Sequence, residues 1–131
     1  MSNKINDWAN GITYAPAIPA PTSALVTSIT GAAFDAILFD NNMGAYQNVG
    51  SAASTSYTFT GKIQESDTAT GTYADISGAA FPAITSTTGA VIVNAITFQR
   101  TKRFLRYVGT IGGTTPSMSL DALFLGQTKQ L

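Results

Sequence analysis

Apolar and polar residues alternate along much of this chain with a period of two, in short runs separated by turn-forming residues. The clearest run is Ser56–Glu65, in which Tyr57, Phe59, Gly61 and Ile63 share one side and the intervening residues are Thr, Lys and Gln. Such alternation is typical of a β-strand with one buried and one exposed face. The run therefore predicts a strand that turns its large apolar side chains toward a core.

Six other runs are rich in apolar and β-branched residues, and each predicts a strand: Ser23–Ile29, Ala33–Phe39, Thr72–Ile76, Ala90–Ile96, Arg103–Ile111 and Ser117–Leu125. Asn and Gly tolerate positive φ angles, so residues 40–44 (Asp-Asn-Asn-Met-Gly) predict a turn, and residues 112–116 predict a hairpin connection. No window has the pattern of an amphipathic helix. About eight short strands predict an all-β fold, an antiparallel two-sheet β-sandwich of jelly-roll or immunoglobulin-like type.

The first 22 residues differ from the rest because Pro16, Pro19 and Pro21 fall within six positions. Prolines at this density exclude a helix and a central strand. We therefore predict an extended N-terminal arm at residues 1–22 and a β-sandwich domain at residues 23–131. The arm carries Trp8 and Tyr14, which are candidate interface anchors because Trp and Tyr are enriched at binding hot spots. Trp8 could equally fold back over one end of the sandwich.

Charge is scarce in this chain of 131 residues, since only 11% are charged and the net charge is zero. A low-charge surface suits a protein that buries much of itself against neighbours. The zero balance gives no attraction to nucleic acid or to a membrane, and neither is an expected partner. There is no cysteine, no signal-peptide pattern and no run long enough to span a membrane. We expect synthesis in a bacterial cytoplasm.

Histidine and cysteine are both absent, which removes the commonest general base, the thiol nucleophile and the usual zinc ligands. The acidic residues are not spaced as a glycosidase pair or a calcium loop requires. Glu65 and Asp67 lie in a turn-like segment and are expected to accept backbone N–H bonds. We predict a non-enzymatic protein with no catalytic residues, metal or cofactor, and a carboxylate hydrolase is the disfavoured alternative.

Four of the seven basic residues lie within seven positions, at Arg100, Lys102, Arg103 and Arg106. They could pair with carboxylates of a partner subunit, since Arg binds carboxylates in a bidentate manner. They could instead form a solvated strand end that prevents edge-to-edge pairing. Nucleic-acid binding is the weakest interpretation, because four charges without a basic domain give little phosphate affinity.

Four segments of the C-terminal half follow one another as strand and turn motifs: Ile63–Asp67, Tyr73–Ala79, Arg103–Val108 and Gly112–Ser117. In these motifs and their order, the chain resembles the jelly-roll capsid cement (decoration) proteins of tailed bacteriophages. It implies a homotrimer on the exterior of the virion capsid, which would bind the major capsid protein and stabilise the head. The matching motifs contain no catalytic residue.

A second hypothesis is a tail, baseplate or host-surface module that binds carbohydrate. Sandwich folds recur in such modules, and fold alone does not decide between the two functions. Trp8, Tyr46 and Tyr57 could supply stacking surfaces for sugar rings. No constellation of Asp and Asn marks a sugar site.

Overall fold

The computed structural model describes residues 12–18, 22–25, 28–50, 56–85, 92–113 and 117–129. They form eleven strands: β1 Ile12–Pro16, β2 Thr22–Leu25, β3 Ile29–Thr30, β4 Phe34–Asp35, β5 Phe39–Val49, β6 Tyr57–Ser66, β7 Ala74–Ala80, β8 Ile84–Thr85, β9 Ile92–Gln99, β10 Phe104–Gly113 and β11 Met118–Thr128. Within these ranges we find no helix that could cross a membrane.

The strands form two antiparallel sheets. The β11 sheet has the order β1-β11-β5-β9, and β2 pairs with β11 on the same side as β1. The β10 sheet has the order β3-β10-β6-β7, with β4 beside β3 along β10 and β8 beside β7 along β6. The chain passes back and forth between the sheets in the manner of a jelly roll. The predicted all-β, two-sheet sandwich is confirmed.

The faces of the long strands follow the predicted alternation. In β6 the residues Tyr57, Phe59 and Ile63 are buried, while Thr58 and Thr60 are exposed. The inward faces of the other long strands complete the core with Leu105 and Tyr107 from β10 and with Met118, Leu120, Ala122 and Phe124 from β11. Burial of these side chains is the main force that holds the two sheets together.

The turn predicted at residues 40–44 is wrong, because this segment lies inside β5. Asn42 pairs with Gln99 and Met43 pairs with Phe98 across β9, and Met43 is buried. β5 has β9 on one side and β11 on the other, so its backbone groups are taken up by two neighbouring strands. These ladders and the burial of Met43 outweigh the local turn preference of Asn and Gly.

Two predicted strands differ from the structure in extent. The Ser23–Ile29 run contains two short strands, β2 and β3, which belong to different sheets. The Thr72–Ile76 strand begins later, at Ala74. Of the hairpin connection predicted at residues 112–116, Gly112 and Gly113 belong to β10. Residues 114–116 lie outside the described residues.

Part of the predicted arm lies against the sandwich as an extended segment. β1 pairs with β11 from Ile12↔Gln127 to Pro16↔Leu123, at the edge of the sheet. Ala17 and Ile18 are buried, and the Ala17 N–H donates to Ala122 O at 2.9 Å. An edge position is compatible with proline, because the outer side of an edge strand needs no donor. Trp8 lies outside the described residues.

One hydrogen bond links the two sheets through the core. Tyr107 Oη of β10 donates to Gln47 Oε1 of β5 at 2.7 Å, and both side chains are fully buried. Desolvation raises the pKa of Tyr107, so the phenol keeps its proton and remains the donor. Gly61 of β6 lies beneath this bond, where a Cβ would overlap both Gln47 Oε1 and Tyr107 Oη. Only glycine therefore leaves room for the bond.

Replacement of Gly61 by alanine tests this arrangement. We expect Gly61→Ala to lower the free energy of unfolding by about 2–4 kcal/mol, because the methyl group overpacks the core and displaces the buried bond. Urea unfolding followed by circular dichroism measures the change. Thr60→Ala, at the exposed neighbouring position, should change it by less than about 0.5 kcal/mol. Equal effects of the two substitutions would contradict the role of Gly61.

Candidate docking end of the sandwich

Two large apolar side chains are exposed side by side at one end of the sandwich. Ile37 is 45% exposed and Leu38 is 65% exposed, in the turn that joins β4 to β5. The strand predicted at Ala33–Phe39 is therefore wrong over most of its length, since β4 contains only Phe34 and Asp35. We call residues 36–39 the apolar turn.

The guanidinium of Arg100 holds the apolar turn from inside. Its Nη2 donates to Ala36 O and Phe39 O, both at 2.7 Å, and its Nη1 donates to Lys102 O at 3.0 Å. Burial lowers the pKa of Arg100 from its usual value. Arg100 is one of the predicted interface candidates, but these donors bind the protein's own carbonyls. Arg100 is a positioning residue for the turn.

Further backbone contacts hold the same turn. The Phe39 N–H donates to Ala36 O at 3.0 Å and the Lys129 N–H donates to Leu38 O at 2.8 Å. The Ile37 N–H donates to Asp35 Oδ1 at 3.1 Å. These bonds fix the backbone on both sides of the two exposed side chains. The backbone of the turn is therefore already ordered where the Ile37 and Leu38 side chains project from it.

Glu65 orders the neighbouring loop, residues 100–103, which carries most of the basic cluster. Its carboxylate accepts bonds from Thr101 N at 2.8 Å, Thr101 Oγ1 at 2.7 Å and Lys102 N at 3.1 Å, and the side chain is buried. The prediction that Glu65 accepts backbone N–H bonds is confirmed, although these come from the β9–β10 loop. Asp67 instead forms an ion pair with Lys102 at 3.6 Å.

Ion pairs form a charged rim beside the apolar turn. Arg103 binds Asp35 in a bidentate manner, with Nε–Oδ1 at 2.9 Å and Nη2–Oδ2 at 2.7 Å. In the Arg103–Asp35 and Lys102–Asp67 pairs, each of the four side chains is at least 38% exposed. Exposed ion pairs contribute little to stability. A charged group of a binding partner could therefore take the place of either residue of a pair with little loss of folding stability. We call Asp35, Asp67, Lys102 and Arg103 the charged rim.

Arg106 lies apart from the rim, on the outer face of the β10 sheet. Its Nε donates to Gln64 Oε1 at 2.8 Å, and its guanidinium carbon lies 4.2 Å from the centre of the Tyr73 ring. Gln64 Nε2 in turn donates to Asp75 at 2.7 Å, and Lys62 pairs with Asp75 at 3.0 Å. The basic cluster of the sequence is thus divided between the interior, the rim and a sheet face.

Of the two aromatic candidates, only the backbone of Tyr14 is described. The backbone of Tyr14 pairs with Leu125 at the edge of the β11 sheet, and Trp8 lies outside the described residues. The acids also lack an arrangement for metal binding, because no cluster of three potential ligands occurs in the described ranges. What this end of the molecule offers chemically is an apolar patch with charged neighbours, which suits docking.

Comparison with known proteins shows the fold. No family model and no curated protein matches the chain. Among solved structures, the PBSX exported protein XepA superposes with a TM-score of 0.59 at 12% identity, over 91% of this chain. This chain spans about 38% of the length of XepA. The SPBc2 prophage-derived protein YomS gives 0.49 at 15% identity, over 88% of this chain and 93% of its own.

Substitution of Arg100 tests its role in the apolar turn. We expect Arg100→Met to lower the free energy of unfolding by about 2–4 kcal/mol, because Ala36 O and Phe39 O lose a charged donor inside the protein. Arg103→Met, which removes an exposed pair at the same end, should cost less than about 1 kcal/mol. Urea unfolding of the two variants measures the difference. Similar losses would show that Arg100 is not a buried positioning group.

The pKa of Asp35 tests the geometry of the rim. The bond from Arg103 is the main cause that holds this pKa below 3.8, and the Ile37 N–H adds to it. Since the folded pKa is lowered, the pair stabilises the protein above the unfolded pKa and is lost as pH falls through the folded value. We expect Arg103→Met to raise the Asp35 pKa, as measured by carboxyl NMR titration. An unchanged pKa would contradict the bidentate pair.

Proposed function

We propose that this chain is a non-enzymatic structural protein of a tailed-phage virion that binds the outer surface of the capsid. The apolar turn is the observation that carries the proposal, because it is held rigidly and projects two aliphatic side chains beside paired charges. The sequence resemblance to capsid cement proteins supports the outer surface of the capsid as the binding location. Its partners are the major capsid protein and other copies of the same chain.

The apolar turn has the composition of a docking centre. Interfaces bury apolar side chains at the middle and keep charged residues at the rim. Ile37 and Leu38 provide the middle, and the charged rim lies next to them. Because Arg100 and the backbone bonds already hold the turn, binding loses little conformational entropy there. Preorganisation of this kind raises affinity without adding contacts.

The size of the turn indicates weak binding by one copy alone. Full burial of an aliphatic side chain contributes about 1.5–3 kcal/mol, and Ile37 and Leu38 are already partly buried. Stable attachment to a capsid therefore requires several linked contacts, which multiply through avidity. The homotrimer implied by the resemblance would supply them. A lattice of identical capsid subunits offers the matching repeated sites.

The carbohydrate hypothesis has less support from the described residues. Tyr57 is 8% exposed and belongs to the core, so it offers no stacking surface for a sugar. Tyr46 is half-buried on the outer face of the β11 sheet. A glycan array probes this alternative directly, and specific sugar binding would favour it over capsid binding.

Capsid co-sedimentation tests the proposal. Heads of the phage that encodes this chain, prepared from a strain lacking its gene, are mixed with purified protein and pelleted. We expect the wild-type protein to pellet with the heads. The double variant Ile37→Asp, Leu38→Asp should bind at least about tenfold more weakly, because charges would replace the apolar centre.

The matched control is Thr110→Asp, which places a carboxylate at an exposed position of β10 far along the strand from the rim. It should pellet as the wild type does, and all variants should keep the wild-type circular dichroism spectrum. No binding by the wild-type protein would refute the capsid assignment. Full binding by the double variant would remove the apolar turn from the interface.

A further inference from the structure

A groove of about 600 Å³ crosses the outer face of the β11 sheet. Its floor is Gly44 of β5, which pairs with Thr97 of β9 on one side and with Leu125 of β11 on the other. Among the described residues, none that lines the groove is charged, and the exposed Asn42 and Gln127 lie at one end. The groove is therefore a largely apolar surface with two side-chain amides at its end.

Gly44 lies in the middle of a central strand, where glycine weakens a sheet and often marks the close approach of another group. Its φ angle is not in the left-handed region. A Cβ at Gly44 would lie 3.2 Å from Ile96 O and 3.6 Å from Leu125 Cβ, which is a tight fit without overlap. At Gly61, by contrast, a Cβ would overlap core atoms. The strand itself therefore does not require glycine at position 44, whereas an occupant of the groove would.

The chain enters the sandwich beside this groove. Residues 1–11 lie outside the described residues, and β1 begins at Ile12, whose backbone pairs with Gln127 at the end of the groove. Gly44 lies two strand spacings across the sheet and two residues along it from Ile12, about 12 Å in all. Four residues of extended chain span about 13–14 Å. A residue four positions before Ile12 can therefore reach the floor of the groove.

We propose that Trp8 of the same chain occupies this groove. Trp8 is the fourth residue before Ile12 and the only tryptophan of the chain. An indole combines a large apolar surface with one N–H donor. It matches an apolar floor that has amide oxygens at Asn42 and Gln127 as acceptors. Gly11, directly before Ile12, has the backbone freedom to turn the chain over the sheet.

This placement covers the apolar part of the β11 sheet with the protein's own chain. Soluble proteins rarely leave a large apolar patch open. The placement needs no second copy, so it holds for a monomer and for a homotrimer alike. It does not rest on the capsid assignment, since the apolar turn that carries that assignment lies outside the groove. Trp8 is then held by its own domain and is not available to a partner.

The fluorescence of Trp8 tests the inference, because no other tryptophan contributes to it. We expect the folded protein to emit at a shorter wavelength than the urea-unfolded protein. Acrylamide quenching should be at least about threefold weaker in the folded protein, because the ring is shielded from water in the groove. Emission and quenching equal to those of the unfolded protein would overturn the inference.

A charge in the groove should expel the indole. Thr97 is exposed and lies opposite Gly44, so Thr97→Glu places a carboxylate in the groove. Quenching should rise to within about twofold of the unfolded value, because burying the ring there would desolvate the charge. Thr110→Glu, at an exposed position of β10 in the other sheet, is the matched control and should leave quenching unchanged. Both variants should keep the wild-type circular dichroism spectrum. Unchanged quenching in Thr97→Glu would overturn the inference.

Nuclear Overhauser contacts identify the groove and the copy that supplies the indole. The indole protons of Trp8 should show contacts with the methyl groups of Leu125 in isotopically labelled protein. Labelled and unlabelled protein in equal amounts are then unfolded and refolded together, and an isotope-filtered spectrum should show no Trp8–Leu125 contact between copies. A contact between copies would mean that the groove takes Trp8 of a neighbour. That result, or the absence of any Trp8–Leu125 contact, would overturn the inference.

Discussion

The guanidinium of Arg100 is removed from water, so its donors must find acceptors inside the protein. Nη2 donates to Ala36 O and Phe39 O, and Nη1 donates to Lys102 O, all at the same end of the sandwich. Nε is buried and has no partner among the described residues. Glu65, in β6, accepts hydrogen bonds from the backbone N–H groups of Thr101 and Lys102 in the loop at residues 100–103. One buried cation and one buried anion thus determine the shape of the surface that carries the exposed Ile37 and Leu38.

The core constrains this end through the relative position of the sheets. Gln47 and Tyr107 come from opposite sheets, and their bond requires the space that Gly61 leaves. A sheet that slipped by one residue would turn Gln47 away from Tyr107 and expose the apolar set of its strand. The inter-sheet bond therefore supports the register on which the loops at the end depend.

The sequence predicted those features that follow from local periodicity. Alternation identified the inward faces of β6 and β11, because side-chain direction depends only on position along a strand. It failed at residues 40–44, where two neighbouring strands overcome the local preference. It also failed to separate Arg100 from Arg103, because burial of a charge depends on acceptors from distant parts of the chain. The sequence did contain an indication that Arg100 is buried. It lies two positions after the inward-facing Phe98, so alternation along the strand also places Arg100 on the inward side.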